Sequence, residues 1–365
     1  MKILISGNEA IAEAAIMAGC DFYAGYPITP QNELIAYMAK KMPELGRPFV
    51  QAESELAAIN MVFGASAAGA RAMTSSSSPG ISLKQEGISY LAGAELPAVI
   101  VNIMRGGPGL GNIAPSQADY FQAVKGGGHG DYHVIVLAPY SVQEAYDIMQ
   151  LAFDLADEYR TPVMVLGDGI LGQMMEPIVV HSPQSIDHSK NNALSTMDYR
   201  PLTKQWALTG CKGRNPNIVK SFYMVEGELE KFNIKLQEKY NLIQSKEQRY
   251  ENLFLEDAEI IFVAYGSMAR IVKSVVTQLR AQGKKVGLIR PITLWPFPNE
   301  IFNKLTTHDS QLTTFLVVEM SYGQMVEDVK LAVNGKIPVE FLGRSGGGIP
   351  TEEEIIKIAK LFINE

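Results

Sequence analysis

Over roughly the first 170 residues, short apolar runs alternate with longer stretches whose apolar positions recur at helical spacing. The runs Asp21–Tyr26, Pro48–Gln51, Arg71–Thr74, Ala98–Met104, Val134–Ala138 and Val163–Leu166 predict strands. They lack a clean two-residue alternation, as expected when helices cover both faces of a parallel sheet. Between them, Ser6-Gly7-Asn8-Glu9 reads as a capping box, in which hydroxyl and carboxylate satisfy the helix's free amides reciprocally. The helix it opens runs from Ala10 to Ala18 and stops at Gly19. Further helices are predicted from Gln31 to Met42 and from Ser54, through an Ala-rich stretch, to Ala68.

From about Gly172 to Asp257 the pattern fades. This segment holds the polar tract Asp187-His188-Ser189-Lys190-Asn191-Asn192 and a charged, helix-like stretch from Glu226 to Arg249. A second α/β pattern follows, with a strand and turn at Ile260–Gly266, strands at Lys285–Arg290, Phe315–Glu319 and Val339–Leu342, and a closing amphipathic helix over Thr351–Phe362. The expected organisation is a doubly wound parallel-sheet domain at residues 1–171, a crossover or linker with a helix at 172–257, and a smaller α/β domain at 258–365.

Composition narrows the function classes. A chain of 365 residues, 47% hydrophobic, buries a sizeable core. With 32 basic against 39 acidic residues and no basic run, a nucleic-acid partner is disfavoured. No charged-then-apolar leader opens the sequence, and Gly, Pro or Glu interrupts every apolar run well short of a membrane span, so a soluble cytoplasmic protein is expected. Cys20 and Cys211 are far apart, which argues against a disulfide framework and against an iron–sulfur cluster held by this chain alone. His129 and His133 lie four apart, but in the glycine-rich Gly126–Asp131 stretch, not on the helical face that a metal-ligand pair needs.

Four loops carry candidate chemistry. Gly25-Tyr26-Pro27-Ile28-Thr29-Pro30 leaves a strand, and its prolines fix the backbone around the Thr29 hydroxyl at the sheet edge where open α/β sheets bind ligands. Taken alone, the same segment fits a helix cap at Thr29 with Pro30 at the first helical position. Glu55 stands in the first turn of a helix, where an acid complements the dipole; the helix behind it is apolar nearly all round, and a carboxylate at the mouth of a buried helix needs a partner. Thr74-Ser75-Ser76-Ser77-Ser78-Pro79-Gly80 is a hydroxyl-rich turn after a strand, either a ligand contact or ordinary punctuation. Arg105-Gly106-Gly107-Pro108-Gly109-Leu110-Gly111 allows a dinucleotide fingerprint at Gly109-x-Gly111-x-x-Ala114, but Pro115 falls where the helix should be under way. It fits better as a close-approach loop presenting the planar fork of Arg105 to a carboxylate. Gly167-Asp168-Gly169 followed by Asn191-Asn192 imitates a diphosphate-and-magnesium motif, yet the interval, with Glu176-Pro177 and a polar tract, lacks the helix and strand that would converge the ligands.

Together these loops resemble the α subunit of the 2-oxoacid:ferredoxin oxidoreductases, thiamine-diphosphate enzymes, and among them the branched-chain (3-methyl-2-oxobutanoate) type. The resemblance runs through Gly7–Ala12, Gly25–Pro30, Gln51–Asn60, Thr74–Ser82, Arg105–Gly111 and Gly126–Tyr132 to Val317–Met320 and Gly323–Asp328. It implies a pyrimidine-type thiamine-diphosphate domain followed by a transketolase C-terminal-like domain. Glu55 matches the glutamate that hydrogen-bonds the aminopyrimidine ring nitrogen, Thr29 the threonine that contacts the 2-oxoacid, and Arg105 the arginine at its carboxylate. Tyr26, Pro27, Ile28, Ser76 and Ser77 fall in the cofactor-contacting loops. The resemblance further implies that thiamine diphosphate is shared with a β subunit carrying the diphosphate and Mg2+. It also implies a γ subunit, a ferredoxin-like subunit with 4Fe-4S clusters, coenzyme A as co-substrate and ferredoxin as acceptor. Lys84 departs from the pattern, where relatives usually carry Met; a place on a helix surface is expected for it. The rival readings are a 2-oxoglutarate-type α subunit, a complete thiamine enzyme on one chain, and a non-catalytic dinucleotide-binding module.

Overall fold

The computed structural model describes residues 2–180, 204–306 and 312–362. Strand β1 (Lys2–Ser6) leads into α1 (Gly7–Met17), then β2 (Phe22–Gly25), α2 (Asn32–Glu44), β3 (Phe49–Gln51), α3 (Glu55–Ala67), β4 (Ala72–Ser76), α4 (Ser78–Gly93) and β5 (Ala98–Met104). The alternation continues with α5 (Tyr120–Val124), β6 (Ile135–Leu137), α6 (Val142–Tyr159), β7 (Pro162–Asp168), α7 (Gly169–Gln173) and β8 (Met175–Val179). After α8 (Glu228–Lys246) come β9 (Tyr250–Leu253), β10 (Ile260–Val263), α9 (Gly266–Ala281), β11 (Val286–Pro291) and β12 (Thr293–Trp295). The described chain closes with α10 (Asn299–Leu305), β13 (Thr314–Glu319), α11 (Met325–Val333), β14 (Val339–Gly343) and α12 (Glu352–Ala359).

The first sheet has seven strands in the order β12-β6-β7-β5-β4-β2-β3, all parallel except β12. Its central strands β5 and β7 are buried along their whole length, which explains their continuous apolar runs. The second sheet, β14-β13-β10-β11-β9, is parallel apart from β9. A separate antiparallel pair joins β1 to β8 and ties the start of the chain to the end of the first α/β stretch. Ser6 caps α1 in the capping box expected from sequence, and Gly19 leaves that helix at a φ of +80°.

The units are more interleaved than the boundaries at 171 and 257 express. Strand β9 precedes residue 258 yet belongs to the second sheet, while β12 leaves the second sheet's sequence to pair with β6 of the first. Helix α8 buries Leu236, Tyr240 and Ile243 at helical spacing in the larger core. Tyr240 meets Trp295 and His133 edge-on, and His133 stacks on Trp295 with ring centres 4.5 Å apart. His133 is thus held by aromatic rings. The tract 187–192, with Asn191-Asn192, lies outside the described residues.

Polar contacts lock the units at one end of the sheets. The Gln117 side chain donates to Tyr265 O and accepts from Met320 N, both at 2.9 Å. Gln324 reaches back to Ala118 O at 2.7 Å and accepts from Phe121 N at 2.8 Å. Tyr120 donates to Asp328 at 2.7 Å, and Lys125 pairs with the same carboxylate. Among the described residues no helix is long and apolar enough to cross a membrane.

Candidate active site

Strands β3, β2, β4 and β5 are adjacent, and the four candidate loops leave their carboxyl ends in that order. Parallel strands deliver all their C-terminal loops to one edge, so sequence-distant residues converge there. Glu55 follows β3, Thr29 follows β2, Ser76 ends β4 with Ser77 next as the N-cap of α4, and Arg105 follows β5.

Glu55 is the first residue of α3, behind the N-cap Ser54, whose hydroxyl accepts from Ala57 N at 3.1 Å. Its side chain is 7% exposed, and among the described residues it forms no hydrogen bond or ion pair. It lies against Gly80: a Cβ at that position would stand 2.0 Å from Ser76 Oγ and 2.6 Å from Glu55 Oε1. The Ser76 and Ser77 hydroxyls beside it are buried without partners. Buried polar groups ordinarily find partners, so an unpaired carboxylate packed with Ser76 against Gly80, and the orphan hydroxyls of Ser76 and Ser77, mark a place for a polar ligand edge.

The β2 loop is braced from behind. Tyr23 donates to Ser75 Oγ, which donates to Gln31 Oε1, both at 2.6 Å, and Gln31 in turn donates to Tyr26 O at 3.3 Å. Asn8 and Gln173 hold Pro30 O at 2.7 and 3.0 Å. Tyr26 is 38% exposed, Pro27 is exposed, and Ile28 and Thr29 are half-buried. Thr29 does not cap the next helix. Helix α2 begins at Asn32 with Gln31 as its N-cap, two residues later than the cap reading requires. The Thr29 hydroxyl accepts instead from Asn32 Nδ2 at 3.1 Å, in a position open to the mouth of the site.

Arg105 is 9% exposed and spans the mouth. Its Nη1 donates to Thr29 O and its Nη2 to Leu110 O, each at 3.0 Å, while Nε is buried without a partner. The fork therefore positions the Thr29 backbone, with Nε and one proton on each terminal nitrogen unspent. Its amide is fixed by Ser78 Oγ at 3.0 Å, and Ser78 donates to Asp119 at 2.6 Å. Burial pushes the Asp119 carboxyl up, against the pull of Ser78 and Asn102. No helix opens after Gly109-x-Gly111, since the next one begins at Tyr120, so the dinucleotide fingerprint lacks its anion-binding amides. At Gly111, φ is +57° and a Cβ would sit 1.7 Å from Gly106 O, so the turn needs glycine there. Asn112 donates to Gly346 O at 2.9 Å, which brings the second unit to the rim.

Asp168 of the imitated metal motif is committed elsewhere. Its Oδ1 accepts from Ile170 N and Leu171 N at 2.8 and 3.2 Å, capping α7, and from Ser267 at 2.9 Å. Its would-be partners Asn191 and Asn192 lie outside the described residues.

Lys84 corrects the expectation made for it. It is not on a helix surface but fully buried, on the face of α4 that also carries Gly80, Ile81 and Ile88. Burial pushes its amine down to about 7, with the charge of Glu55 acting the other way. Between about 7 and its usual 10.5, the unfolded chain binds the proton that the folded one has released, so stability rises with pH there. That gap corresponds to about 5 kcal/mol at most. Urea unfolding is expected to show this rise in the wild-type chain and to lose it in Lys84→Met. Equal pH dependence of the two would disprove the assignment.

Several supporting residues escaped the sequence reading. Gln31, Asn8 and Asn102 are buried polar groups that hold loop backbone. Asn102 was findable as the lone polar residue in the apolar strand Ala98–Met104.

Comparison with known proteins places this geometry. Residues 13–242 match the family model described as pyruvate flavodoxin/ferredoxin oxidoreductase, thiamine diphosphate-binding. Residues 258–355 match pyruvate:ferredoxin oxidoreductase core domain II. The chain is 53% identical to ketoisovalerate oxidoreductase subunit VorB of Methanothermobacter marburgensis over 97% of its length and 96% of that protein's. It is 38% identical to 2-oxoglutarate synthase subunit KorA of Methanocaldococcus jannaschii, over 97% of this chain and 98% of that one. Among solved structures it resembles the 2-oxoglutarate:ferredoxin oxidoreductase from Magnetococcus marinus with 2-oxoglutarate, coenzyme A and succinyl-CoA bound. There the TM-score is 0.84 at 28% identity, and this chain, covered completely, spans 65% of that longer chain. A split gene transketolase shares the fold at a TM-score of 0.60 and 14% identity, covering 98% of each chain.

Proposed function

The chain belongs to the pyruvate flavodoxin/ferredoxin oxidoreductase family, and from that premise we propose that it is the pyrimidine-binding α subunit of an oxidoreductase for branched-chain 2-oxoacids of the 3-methyl-2-oxobutanoate type. The observation that carries the substrate class is the higher identity to a ketoisovalerate subunit, 53% against 38% for a 2-oxoglutarate subunit, at equal coverage. The reaction takes a 2-oxoacid, coenzyme A and two oxidised ferredoxins to acyl-CoA, carbon dioxide, a proton and two reduced ferredoxins.

The residues fit the cofactor. Glu55 and the orphan hydroxyls of Ser76 and Ser77, with Glu55 and Ser76 packed close on Gly80, form a polar cradle, and the loop Tyr26-Pro27-Ile28 supplies an apolar wall. Thiamine diphosphate, when bound, supplies a nucleophilic carbon and an electron sink. Glu55 holds a proton at Oε toward the ring nitrogen, and its burial strengthens that contact. Thr29 turns its hydroxyl from Asn32 to the 2-oxoacid. Arg105 offers its unspent N–H groups to the carboxylate while keeping Thr29 in place.

The rest of the site belongs to other chains. We assign the diphosphate and Mg2+ to a β subunit, and 4Fe-4S clusters to the β subunit or a ferredoxin-like one, with a γ subunit completing the assembly. Leu110 and Ile113, 81% and 65% exposed beside the mouth, give the β subunit an apolar rim to cover. We retain residues 1–171 and 258–365 as the two working units, joined by 172–257 and stitched by β9 and β12. A cytoplasmic location accompanies this reading, since its reactants are soluble.

The test is a substrate panel on the complex co-purified with its partners, following coenzyme A-dependent reduction of ferredoxin or a viologen. We expect 3-methyl-2-oxobutanoate to exceed 2-oxoglutarate in kcat/KM by about tenfold or more. A preference for 2-oxoglutarate would overturn the substrate assignment.

A further inference from the structure

Among the described residues Lys84 is the one fully buried lysine, and it sits directly behind the cradle. It follows Gly80 by one helical turn on α4, and Gly80 touches Glu55 and Ser76. Its Nζ donates to Thr74 Oγ1 at 2.6 Å and to Ser75 O at 3.4 Å, both neutral, and among the described residues no carboxylate pairs with it. An ammonium brings three protons, and here the protein offers it two acceptors, both neutral.

The charges around it are few. From α3 the field of Glu55 reaches it. Strand β5 presents no ionisable side chain, and Asp168 at the end of β7 is spent on α7 and Ser267. Tyr23 on β2 is kept protonated by burial and bonded to Ser75. Glu86, on the outer face of α4, is taken by Tyr90. Glu55 is thus the carboxylate whose charge opposes the burial of Lys84, and losing that charge would leave a buried cation unopposed.

Glu55 has a second obligation, which rests on the function proposed above. A carboxylate and an unprotonated ring nitrogen are both acceptors, so their contact requires a proton. We propose that Lys84 is a positioning residue for Glu55: the two share one proton, kept on Lys84 in the free site and carried by the Glu55 carboxyl once the aminopyrimidine ring is seated. One N–H bond at Nζ breaks, one O–H bond at Glu55 forms, and two opposite buried charges vanish together. The proton count of the site is unchanged, so seating draws no proton from solvent while Lys84 is charged. Once the amine is neutral, above about pH 7, seating takes up one proton.

Proton linkage reads this out without turnover. The co-purified complex, freed of cofactor, is titrated with thiamine diphosphate and Mg2+ by calorimetry from pH 5 to 9, in buffers of different ionisation enthalpy. The protons of the diphosphate cancel between variants, and relative to the lysine variants wild type is expected to take up one proton fewer below about pH 7 and an equal number above it. In Lys84→Met and in Lys84→Gln, which keeps a donor to Thr74, the step near pH 7 is expected to be absent. If Lys84→Met does not assemble, Lys84→Gln carries the comparison. A step that stays near pH 7 without the lysine overturns the proposal. Glu55→Gln separates this from the underlying reading. Loss of the step in that variant, with no movement in the lysine variants, defeats only the role of Lys84. An unchanged step and affinity in Glu55→Gln defeats the assignment of Glu55 itself.

Discussion

Glu55→Gln in the assembled complex is expected to lower turnover with the preferred 2-oxoacid by about 10²–10⁴-fold, the usual yield of a positioned proton-transfer group. The substitution keeps the shape of the side chain and the first turn of α3, where Ser54 remains the cap. What it removes is an ionisable oxygen at 7% exposure, in a cradle whose other polar members, Ser76 and Ser77, are neutral hydroxyls. No described neighbour offers a replacement acid at that spot. Because the loss lies in a contact made to the cofactor, kcat should fall while KM for the 2-oxoacid changes little. Turnover within a few-fold of wild type would remove Glu55 from the mechanism.

The second large effect is on stability. Glu319 ends β13 fully buried, and its carboxylate accepts from Ser321 Oγ at 2.7 Å and from the amides of Gln324, Met325 and Val326 at 3.1–3.2 Å. It organises the turn that starts α11, and Gln324 in that turn reaches across to Ala118 and Phe121. Glu319→Ala would leave three amides unmatched, at a cost of about 1–3 kcal/mol for each that water does not reach. Urea unfolding of the chain is expected to show a loss of about 3 kcal/mol or more, with the contacts between the units failing first. A loss under about 1 kcal/mol would show that the turn holds without its carboxylate.

The α/β alternation was legible because burial on both faces of a sheet writes itself as unbroken apolar runs. Ala98–Met104 has the same limits by pattern and by structure. Where polar residues enter the core, the pattern misled. Strand β4 continues to Ser76, since Ser75 satisfies its hydroxyl inside the sheet on Tyr23 and Gln31. The turn expected through Ser78-Pro79-Gly80 is the first turn of α4. Lys84 lies on the apolar face of that helix together with Ile81 and Ile88, but a lysine at such a place is ordinarily assumed to reach solvent. Only its burial and its hydrogen bond to Thr74 show that it does not. The candidate site was read as four separate weak loops. Their convergence depends on strand order, which places β3, β2, β4 and β5 side by side and which no local signal encodes.

Strand β12 has a consequence for how such a protein can be divided. Any break before Thr293 leaves the larger sheet without its last strand, with β6 as an open edge ready to pair with whatever strand it meets. A break between Trp295 and Thr314 puts β9, β10 and β11 on one fragment and β13 and β14 on the other. No single cut between the halves leaves both sheets whole. Two fragments made by one such cut must therefore exchange a strand to rebuild both sheets, so the halves fold as one object.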